Sequence, residues 1–312
     1  MTMRFWISAI LLGGCVAEPH RKDEPNPEDD QHPPEEGFVK VSGGVGFTCA
    51  LDVNDDVFCF GDVDVEGQLS MSLLEISAQW HHTCGISPDG EVECWCDLEG
   101  DENCNEYGQV DAPTGQFQQV SAGTVHSCAI DLDGYPTCWG VHDGGQLDHG
   151  QVTETPDIQM KRISAGSPYS CGIDLFDELV CWGINQNGLS NPPSGTYLSL
   201  STGRRVGCAI GLDAHLECWG SWGGKPLPPD GAFLDVSVGD DFACAITEDE
   251  EITCFGRDEV AEAAAVINSS PEGHFVSVGA GIRHACAIDQ DGSLHCWGVN
   301  SSGQADPSVL DY

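Results

Sequence analysis

The sequence predicts an all-β protein, a β-propeller with seven blades and one disulfide-linked hairpin in each blade. Three observations predict this fold. A cysteine pair with a spacing of ten residues occurs seven times, each pair is surrounded by the same glycine-rich phrase, and successive pairs begin 35 to 44 residues apart. Such a period is typical of repeat architectures, in which each repeat forms one supersecondary unit. We expect the propeller to span residues 33–312.

The composition indicates an exported protein that does not bind nucleic acid. The 312 residues include 17 Cys and 51 Asp or Glu but only 11 Lys or Arg, so the formal net charge is −40. Binding to a phosphate backbone needs clustered Lys and Arg, and this chain has too few of them. Its many cysteines indicate an oxidising compartment, where disulfides persist.

The N-terminus predicts a lipoprotein signal peptide at residues 1–14. Arg4 precedes an apolar run at residues 5–12, which ends in Leu12-Gly13-Gly14-Cys15. The run is too short to span a bilayer, and its last four residues resemble the bacterial lipobox, in which the cysteine receives lipid after cleavage. Cys15 is therefore the expected lipidation site and membrane anchor, with an ordinary secretory signal as the alternative. The expected location is the outer membrane, the cell surface or the periplasmic face.

Residues 15–32 are predicted to be the lipidated Cys15 followed by a disordered tether rich in proline and acidic residues. Val16 is the only sizeable apolar side chain in this tether. Such a segment cannot bury enough surface to fold. It is expected to hold the folded domain away from the membrane.

The cysteine pairs predict disulfides within hairpins. In the third repeat, Leu132-Asp133-Gly134 suits a three-residue hairpin loop, which places Asp131 opposite Tyr135 and Cys128 opposite Cys138. Opposite cysteines on antiparallel strands lie within disulfide range. Metal ligation is the alternative, but metal sites use cysteines separated by two to four residues. The predicted pairs are Cys49 with Cys59, Cys84 with Cys94, Cys128 with Cys138, Cys171 with Cys181, Cys208 with Cys218, Cys244 with Cys254, and Cys286 with Cys296.

The last residue of the hairpin loop differs between repeats. It is glycine in three of them, at Gly90, Gly134 and Gly292. The other four have Asp55, Asp177, Ala214 and Glu250. Because glycine adopts the left-handed conformation at no steric cost, we expect these four turns to differ in type.

The two ends of the propeller predict how the ring closes. A phrase that precedes most repeats also occurs as Pro34-Glu35-Glu36-Gly37-Phe38, and the chain ends where another such strand would begin. We therefore expect the N-terminal strand to complete the blade that the C-terminus begins. Closure of this kind leaves only short, protected strand edges.

The repeated phrase resembles a known family. In the third repeat it reads Val120-Ser121-Ala122-Gly123, His126-Ser127-Cys128-Ala129-Ile130-Asp131, Asp133-Gly134, Cys138-Trp139-Gly140 and Gly145-Gln146-Leu147, and its first glycine is replaced only in the second repeat, by Gln79. The phrase resembles the regulator of chromosome condensation repeat family in its bacterial secreted, cysteine-paired form. The resemblance implies a propeller but no single function, because the family includes nucleotide-exchange factors for small GTPases, a secreted β-lactamase inhibitor and photoreceptors.

Three histidines recur two residues before a first cysteine, namely His82, His126 and His284. A metal-binding or catalytic ring is one interpretation. A structural position within a strand is favoured, because the other repeats have Phe47, Tyr169, Val206 and Phe242 there. His81 adds a His-His pair, but no further ligand at metal-binding spacing accompanies it.

An insertion in the second repeat, closed by Cys96 and Cys104, is predicted to be a solvated acidic protrusion. A calcium loop is the alternative, with Asp97, Glu99 and Asp101 as the candidate ligands. The ordered alternation and terminal Glu of the twelve-residue calcium loop are missing. We expect no cofactor.

The sequence contains no recognisable catalytic set, since it has neither a Gly-x-Ser-x-Gly elbow nor a His-Glu-x-x-His motif. Residues 41–160 carry 22 Asp or Glu and no Lys or Arg, which predicts either a solvated surface or a docking face for a basic partner. The leading hypothesis is a monomeric, lipid-anchored scaffold whose loops bind a protein or a glycan. The alternatives are an exported hydrolase or lyase with a site assembled from several blades, and a GTPase exchange factor, which export disfavours.

Overall fold

A computed structural model describes residues 37–63, 67–96, 104–224 and 226–310. In these ranges, 22 strands form seven antiparallel sheets, each built from consecutive strands. Each sheet is one repeat, so the predicted all-β, seven-bladed propeller is confirmed. The predicted signal peptide at 1–14, the tether at 15–32 and the lipidation site Cys15 lie outside the described residues.

Every blade has three strands, and the first blade has a fourth. The first strands are β1 (Phe38–Gly43), β5 (Glu75–Gln79), β8 (Phe117–Ala122), β11 (Met160–Ala165), β14 (Tyr197–Thr202), β17 (Phe233–Val238) and β20 (Phe275–Ala280). The second strands are β2 (Phe47–Asp52), β6 (His82–Ile86), β9 (His126–Asp131), β12 (Tyr169–Asp174), β15 (Val206–Gly211), β18 (Phe242–Thr247) and β21 (His284–Asp289). The third strands are β3 (Asp56–Gly61), β7 (Val92–Cys96), β10 (Pro136–Gly140), β13 (Leu179–Gly183), β16 (Leu216–Gly220), β19 (Ile252–Gly256) and β22 (Leu294–Gly298). The remaining elements are β4 (Gly67–Ser72), the helix α1 (Ala261–Ile267) and two 3-10 turns, Gln186–Gly188 and Pro307–Val309.

The first strands form the inner ring of the propeller. Each of them contacts the first strands of both neighbouring blades, and β1 contacts β20, so the ring is closed. The expected mode of closure is wrong, because β1 pairs with β2 of its own blade and does not complete the last one. The ring closes instead by packing of neighbouring faces, where Phe38 and Val41 of the first blade lie against Ile288 of the seventh. Leu310 near the C-terminus is buried in the same cluster.

The hairpin disulfides follow from the strand register. Cys128 lies opposite Cys138, and Asp131 N–H donates to Tyr135 O at 3.0 Å, as the loop length predicts. All seven blades contain this disulfide, with Cα atoms 4.0–4.1 Å apart. An eighth disulfide joins Cys96 to Cys104, whose Cα atoms are 5.8 Å apart. Disulfides in this number are typical of a protein from an oxidising environment.

The expectation that four hairpin turns differ in type is wrong. The last loop residue has a positive φ in all seven turns, including the non-glycine residues Asp55, Asp177, Ala214 and Glu250, at 63–68°. The reason lies between the blades. In this conformation the carbonyl of the turn residue accepts a hydrogen bond of 2.8–2.9 Å from the first N–H of the next blade, as Gly134 does from Met160. This contact between blades therefore holds even non-glycine residues in the left-handed conformation, which is normally unfavourable for them.

The propeller has two distinct faces. The rim-loop face carries the short loops between first and second strands, residues 44–46, 80–81, 123–125, 166–168, 203–205, 239–241 and 281–283. Neighbouring rim loops are hydrogen-bonded, as between Val45 N–H and Trp80 O at 2.9 Å. The turn face, at the other end of these strands, carries the seven hairpin turns. Within the described residues, no helix is long and apolar enough for a transmembrane span.

Candidate functional site

The three recurring histidines are structural groups between blades, as the favoured interpretation predicts. Each is fully buried. The Nε2 atom of His82 lies 2.8 Å from Ser127 Oγ. The equivalent distances are 2.8 Å from His126 to Ser170 and 2.7 Å from His284 to Thr48. In each case the hydroxyl belongs to the next blade, so the pair couples two blades.

Two other blades replace both members of this pair with apolar side chains. Phe242 occupies the histidine position in the sixth blade, and Ala285 lies in the same buried cluster at the hydroxyl position of the seventh. In the same way, Val206 occupies the histidine position of the fifth blade and lies in one buried cluster with Ala243, at the hydroxyl position of the sixth. Because Phe242 and Val206 lie against alanine where the three histidines lie against a hydroxyl, these histidines meet a packing and hydrogen-bonding requirement between blades.

Burial keeps these histidines neutral. It lowers the pKa of His82 and of His126 to about 3, in each case with a smaller contribution from the neighbouring His81 or His82. Burial alone lowers the pKa of His284 to about 4. A charged imidazole in these sites would lose its hydration without an opposite charge to replace it.

The tryptophans that follow the second cysteine of several repeats make a second contact between blades. Trp182 Nε1 donates to the carbonyl of Gln151 in the preceding blade at 2.9 Å, and Trp139 donates to Gln109 in the same way. Gln151 and Gln109 are buried, whereas Gln146 is exposed. The assignment of Gly145-Gln146-Leu147 to the repeated phrase is therefore wrong. An inserted loop displaces the true counterpart to Gly150-Gln151.

The candidate site is a cavity of about 450 Å³ on the rim-loop face. It lies where loops of the second to fifth blades converge, a size and setting typical of ligand and partner sites. Its walls are mainly apolar and aromatic, with one cation and one carboxylate. The lining residues are Trp80, His81, Glu106, Tyr107, Gln109, Thr124, Val125, Leu147, His149, Ser167, Pro168 and Arg204.

Trp80 has a strained backbone within this cavity. Its φ is 53°, a left-handed conformation that costs a bulky residue about 1–2 kcal/mol. Strain of this kind persists only where the surroundings fix it, and it is frequent at functional sites. The strain places an indole on the rim of the cavity, with its ring centroid 5.5 Å from that of His81. The sequence indicated an exception at this position, because Gln79, directly before Trp80, replaces the glycine of the other repeats.

Arg204 provides the positive charge of the cavity. Its guanidinium Nη1 lies 3.6 Å from Asp240 Oδ2, and about half of its side chain is exposed. Burial raises the pKa of Asp240, and the nearby Arg204 reverses this rise only in part. The arginine is thus held in place with part of its surface available to a ligand.

Tyr107 and Glu106 also line the cavity. Desolvation, followed by the adjacent Glu106 carboxylate, raises the pKa of the Tyr107 hydroxyl. This hydroxyl therefore stays protonated and can donate a hydrogen bond, which the Glu106 carboxylate accepts. An aromatic pocket with one cation and one hydroxyl is suited to anchoring a side chain or ring of a partner.

The metal hypothesis receives no support from the part of the chain that the structure describes. No group of three or more His, Cys, Asp or Glu within it has a geometry that could hold a metal ion. The calcium candidates Asp97, Glu99 and Asp101 lie outside the described residues. Of the histidines considered from sequence, only His81 lines the cavity.

Comparison with known proteins supports the fold. Residues 275–304 match the model of the regulator of chromosome condensation (RCC1) repeat. The ectodomain of the Arabidopsis thaliana receptor kinase ACR4 is similar, with a TM-score of 0.68 and 22% identity over 86% of this chain and 98% of that one. Prp20p from Saccharomyces cerevisiae has a TM-score of 0.64 and 17% identity over 87% of this chain and 85% of that one.

A third similar structure is the ectodomain of the Physcomitrella patens receptor kinase CR4, with a TM-score of 0.67 and 23% identity over 84% of this chain and 73% of that one. No curated protein sequence matches the chain. The matched segment covers the seventh blade, and the same cysteine-paired phrase recurs in the other six. The seventh blade therefore matches the RCC1 repeat, and the chain has the propeller fold of the similar structures.

Proposed function

We propose that this protein is an exported, lipid-anchored scaffold that binds a protein partner at the rim-loop cavity. The observation that carries the proposal is the convergence of four blades on one pocket, which is lined both by Trp80 in a strained conformation and by Arg204. Buried tryptophan, tyrosine and arginine side chains dominate the binding energy of protein interfaces. A glycan, which would stack on Trp80, is the second candidate.

Two further observations support a protein partner and a membrane anchor. Among the similar structures, Prp20p binds the proteins Gsp1p and histones. The sequence Leu12-Gly13-Gly14-Cys15 supports lipidation of Cys15. Growth with an alkyne-bearing fatty acid should label the protein, and Cys15→Ser should abolish both the label and membrane association. Unchanged labelling in this variant would refute the anchor without affecting the binding site.

The binding site is tested by photo-crosslinking on intact cells. A photoreactive amino acid replaces Leu147, which lies at the cavity and is 44% exposed, or Val309, an equally exposed control away from it. We expect a discrete protein adduct from position 147 only. The second variant, Trp80→Gly, removes the indole and relieves the backbone strain, and it should abolish the adduct while the protein stays folded.

The possible outcomes separate the two candidates. An adduct that contains carbohydrate and no peptide would replace the protein partner with a glycan. Equal adducts from positions 147 and 309, or an adduct unaffected by Trp80→Gly, would refute the cavity as the binding site.

A further inference from the structure

The turn face, opposite the cavity, concentrates the exposed apolar side chains of the propeller. It consists of residues 52–56, 87–91, 131–135, 174–178, 211–215, 247–251 and 289–293, together with the residue that follows the first hydrogen-bonded N–H of each blade. We call this the second residue of the blade, and it is residue 39, 74, 118, 161, 198, 234 or 276. Of the fourteen large hydrophobic residues exposed in the described ranges, ten belong to this face. They are Val39, Leu74, Leu132, Tyr135, Leu175, Phe176, Leu198, Leu212, Leu234 and Val276.

Backbone geometry explains why these side chains are exposed. In six blades the first strand contains a register shift at its second residue, as between Phe233 and Asp235, and the bulged residue there is Leu234. A bulge redirects a side chain away from the sheet. Leu198 arises in the same way, and the bond from Tyr197 N–H to Asp177 O places it beside the turn that carries Phe176. Apolar groups on adjacent elements therefore form a surface, not isolated positions.

Nearly all charged side chains on the turn face are acidic. Its seven turns contain 17 Asp or Glu and no Lys or Arg. Among the seven second residues the only cation is Lys161, which is paired with Asp177 at 2.5 Å. Four arginines lie instead at the opposite face, namely Arg204, Arg205, Arg257 and Arg283. The charge asymmetry expected along the sequence is thus also an asymmetry between the two faces.

Turn geometry accounts for only part of this acidity. Asp131 Oδ1 accepts hydrogen bonds from the N–H groups of Asp133 and Tyr135, and Asp52, Asp174 and Asp289 do the same in their turns. Four of the five carboxylates at the turn tips have no side-chain hydrogen bond or ion pair within the described ranges. These four, here called the tip carboxylates, are Asp89, Asp133, Asp249 and Asp291. The fifth, Asp213, accepts a hydrogen bond from the N–H of His215 and lies 3.7 Å from the Nδ1 atom of that residue. Asn54 and Phe176 occupy the same tip position in other blades, so the turn does not require an acid there.

We propose that the turn face binds a cationic, amphipathic segment of a protein partner. Its apolar side chains would cover the surface around Phe176, which is 79% exposed, and its Lys or Arg residues would meet the tip carboxylates. Charge complementarity selects this occupant. A second copy of the chain would bring two acidic faces together, and an anionic membrane would repel this face. The proposal is independent of the rim-loop cavity.

The test measures binding of a synthetic helical peptide of Leu and Lys to the purified full-length protein by fluorescence anisotropy. Two matched peptides replace Lys with Glu or Leu with Ser. We expect only the Leu and Lys peptide to bind, with an affinity that falls as salt is raised because exposed charges are screened. Binding of the Glu peptide, or equal binding of the Ser peptide, would overturn the proposal.

Protein variants separate this surface from the general acidity of the chain. Phe176→Ser with Leu198→Ser should raise the Kd at least about tenfold, whereas Leu227→Ser with Val309→Ser, at exposed apolar positions outside both surfaces, should leave it unchanged. Replacement of the four tip carboxylates by Asn should weaken binding more than replacement of four exposed acids elsewhere. These control positions are Asp62, Glu93, Glu154 and Asp258. Equal losses in the two sets, or a dimer in sedimentation that Phe176→Ser dissociates, would refute the proposed partner.

Discussion

Acid should weaken the propeller through its three buried histidines, and the structure gives the size of the effect. Their pKa values in the folded protein are about 3 to 4, against about 6.5 in an unfolded chain. As pH falls below 6.5, the unfolded state therefore binds protons that the folded state does not. At pH 5 each histidine lowers the free energy of unfolding by about 2 kcal/mol relative to pH 7, or about 6 kcal/mol for three.

The chain itself provides the matched control. The double variant His126→Phe with Ser170→Ala copies the pair of Phe242 and Ala285 and should remain folded. Urea denaturation with disulfides intact, at pH 7 and pH 5, should show a loss of about 4 kcal/mol for this variant against about 6 kcal/mol for the wild type. The carboxylates titrate alike in both proteins and cancel in the comparison. An equal loss in the two proteins would refute the assignment of the pH dependence to the histidines.

Three further substitutions test the packing of the blades, each by urea denaturation. Replacing both Cys128 and Cys138 with Ala should lower the free energy of unfolding by about 2–3 kcal/mol, because the unfolded chain regains loop entropy. An unchanged free energy of unfolding would show that this disulfide does not stabilise the protein. Gly123→Ala should lower the free energy of unfolding by about 1–3 kcal/mol, because the added Cβ would lie 2.8 Å from the His126 ring. An unchanged free energy of unfolding would contradict this packing. Ala214→Gly should stabilise the protein by up to about 1 kcal/mol, because φ is 63° there, and a destabilised variant would show that the turn is unstrained.

The two faces divide the functional proposals between different side chains. The rim-loop cavity depends on Trp80 and Arg204, and the turn face depends on Phe176 and the tip carboxylates. Substitutions at one face should therefore leave the other intact. If both proposals hold, loops at the two ends of the strands would let one propeller hold two partners at once.

The local features of this protein follow from its sequence because they depend on short-range geometry. The spacing of ten residues between cysteines determines the hairpin, the residues opposite each other and the disulfide. The structural role of the histidines could be inferred as well, since Phe, Tyr and Val occupy the same position in other repeats. These inferences need only the period of a strand and the length of a turn.

The tertiary structure alone decided the features that depend on contacts between blades. Asp55 and Glu250 adopt the left-handed conformation because a neighbouring blade donates a hydrogen bond to their carbonyls, and no local sequence signal contains that donor. The same is true of ring closure through Phe38 and of the convergence of four blades around Trp80. Residues far apart in the chain meet only when the ring is complete, and so the candidate sites became visible only in three dimensions.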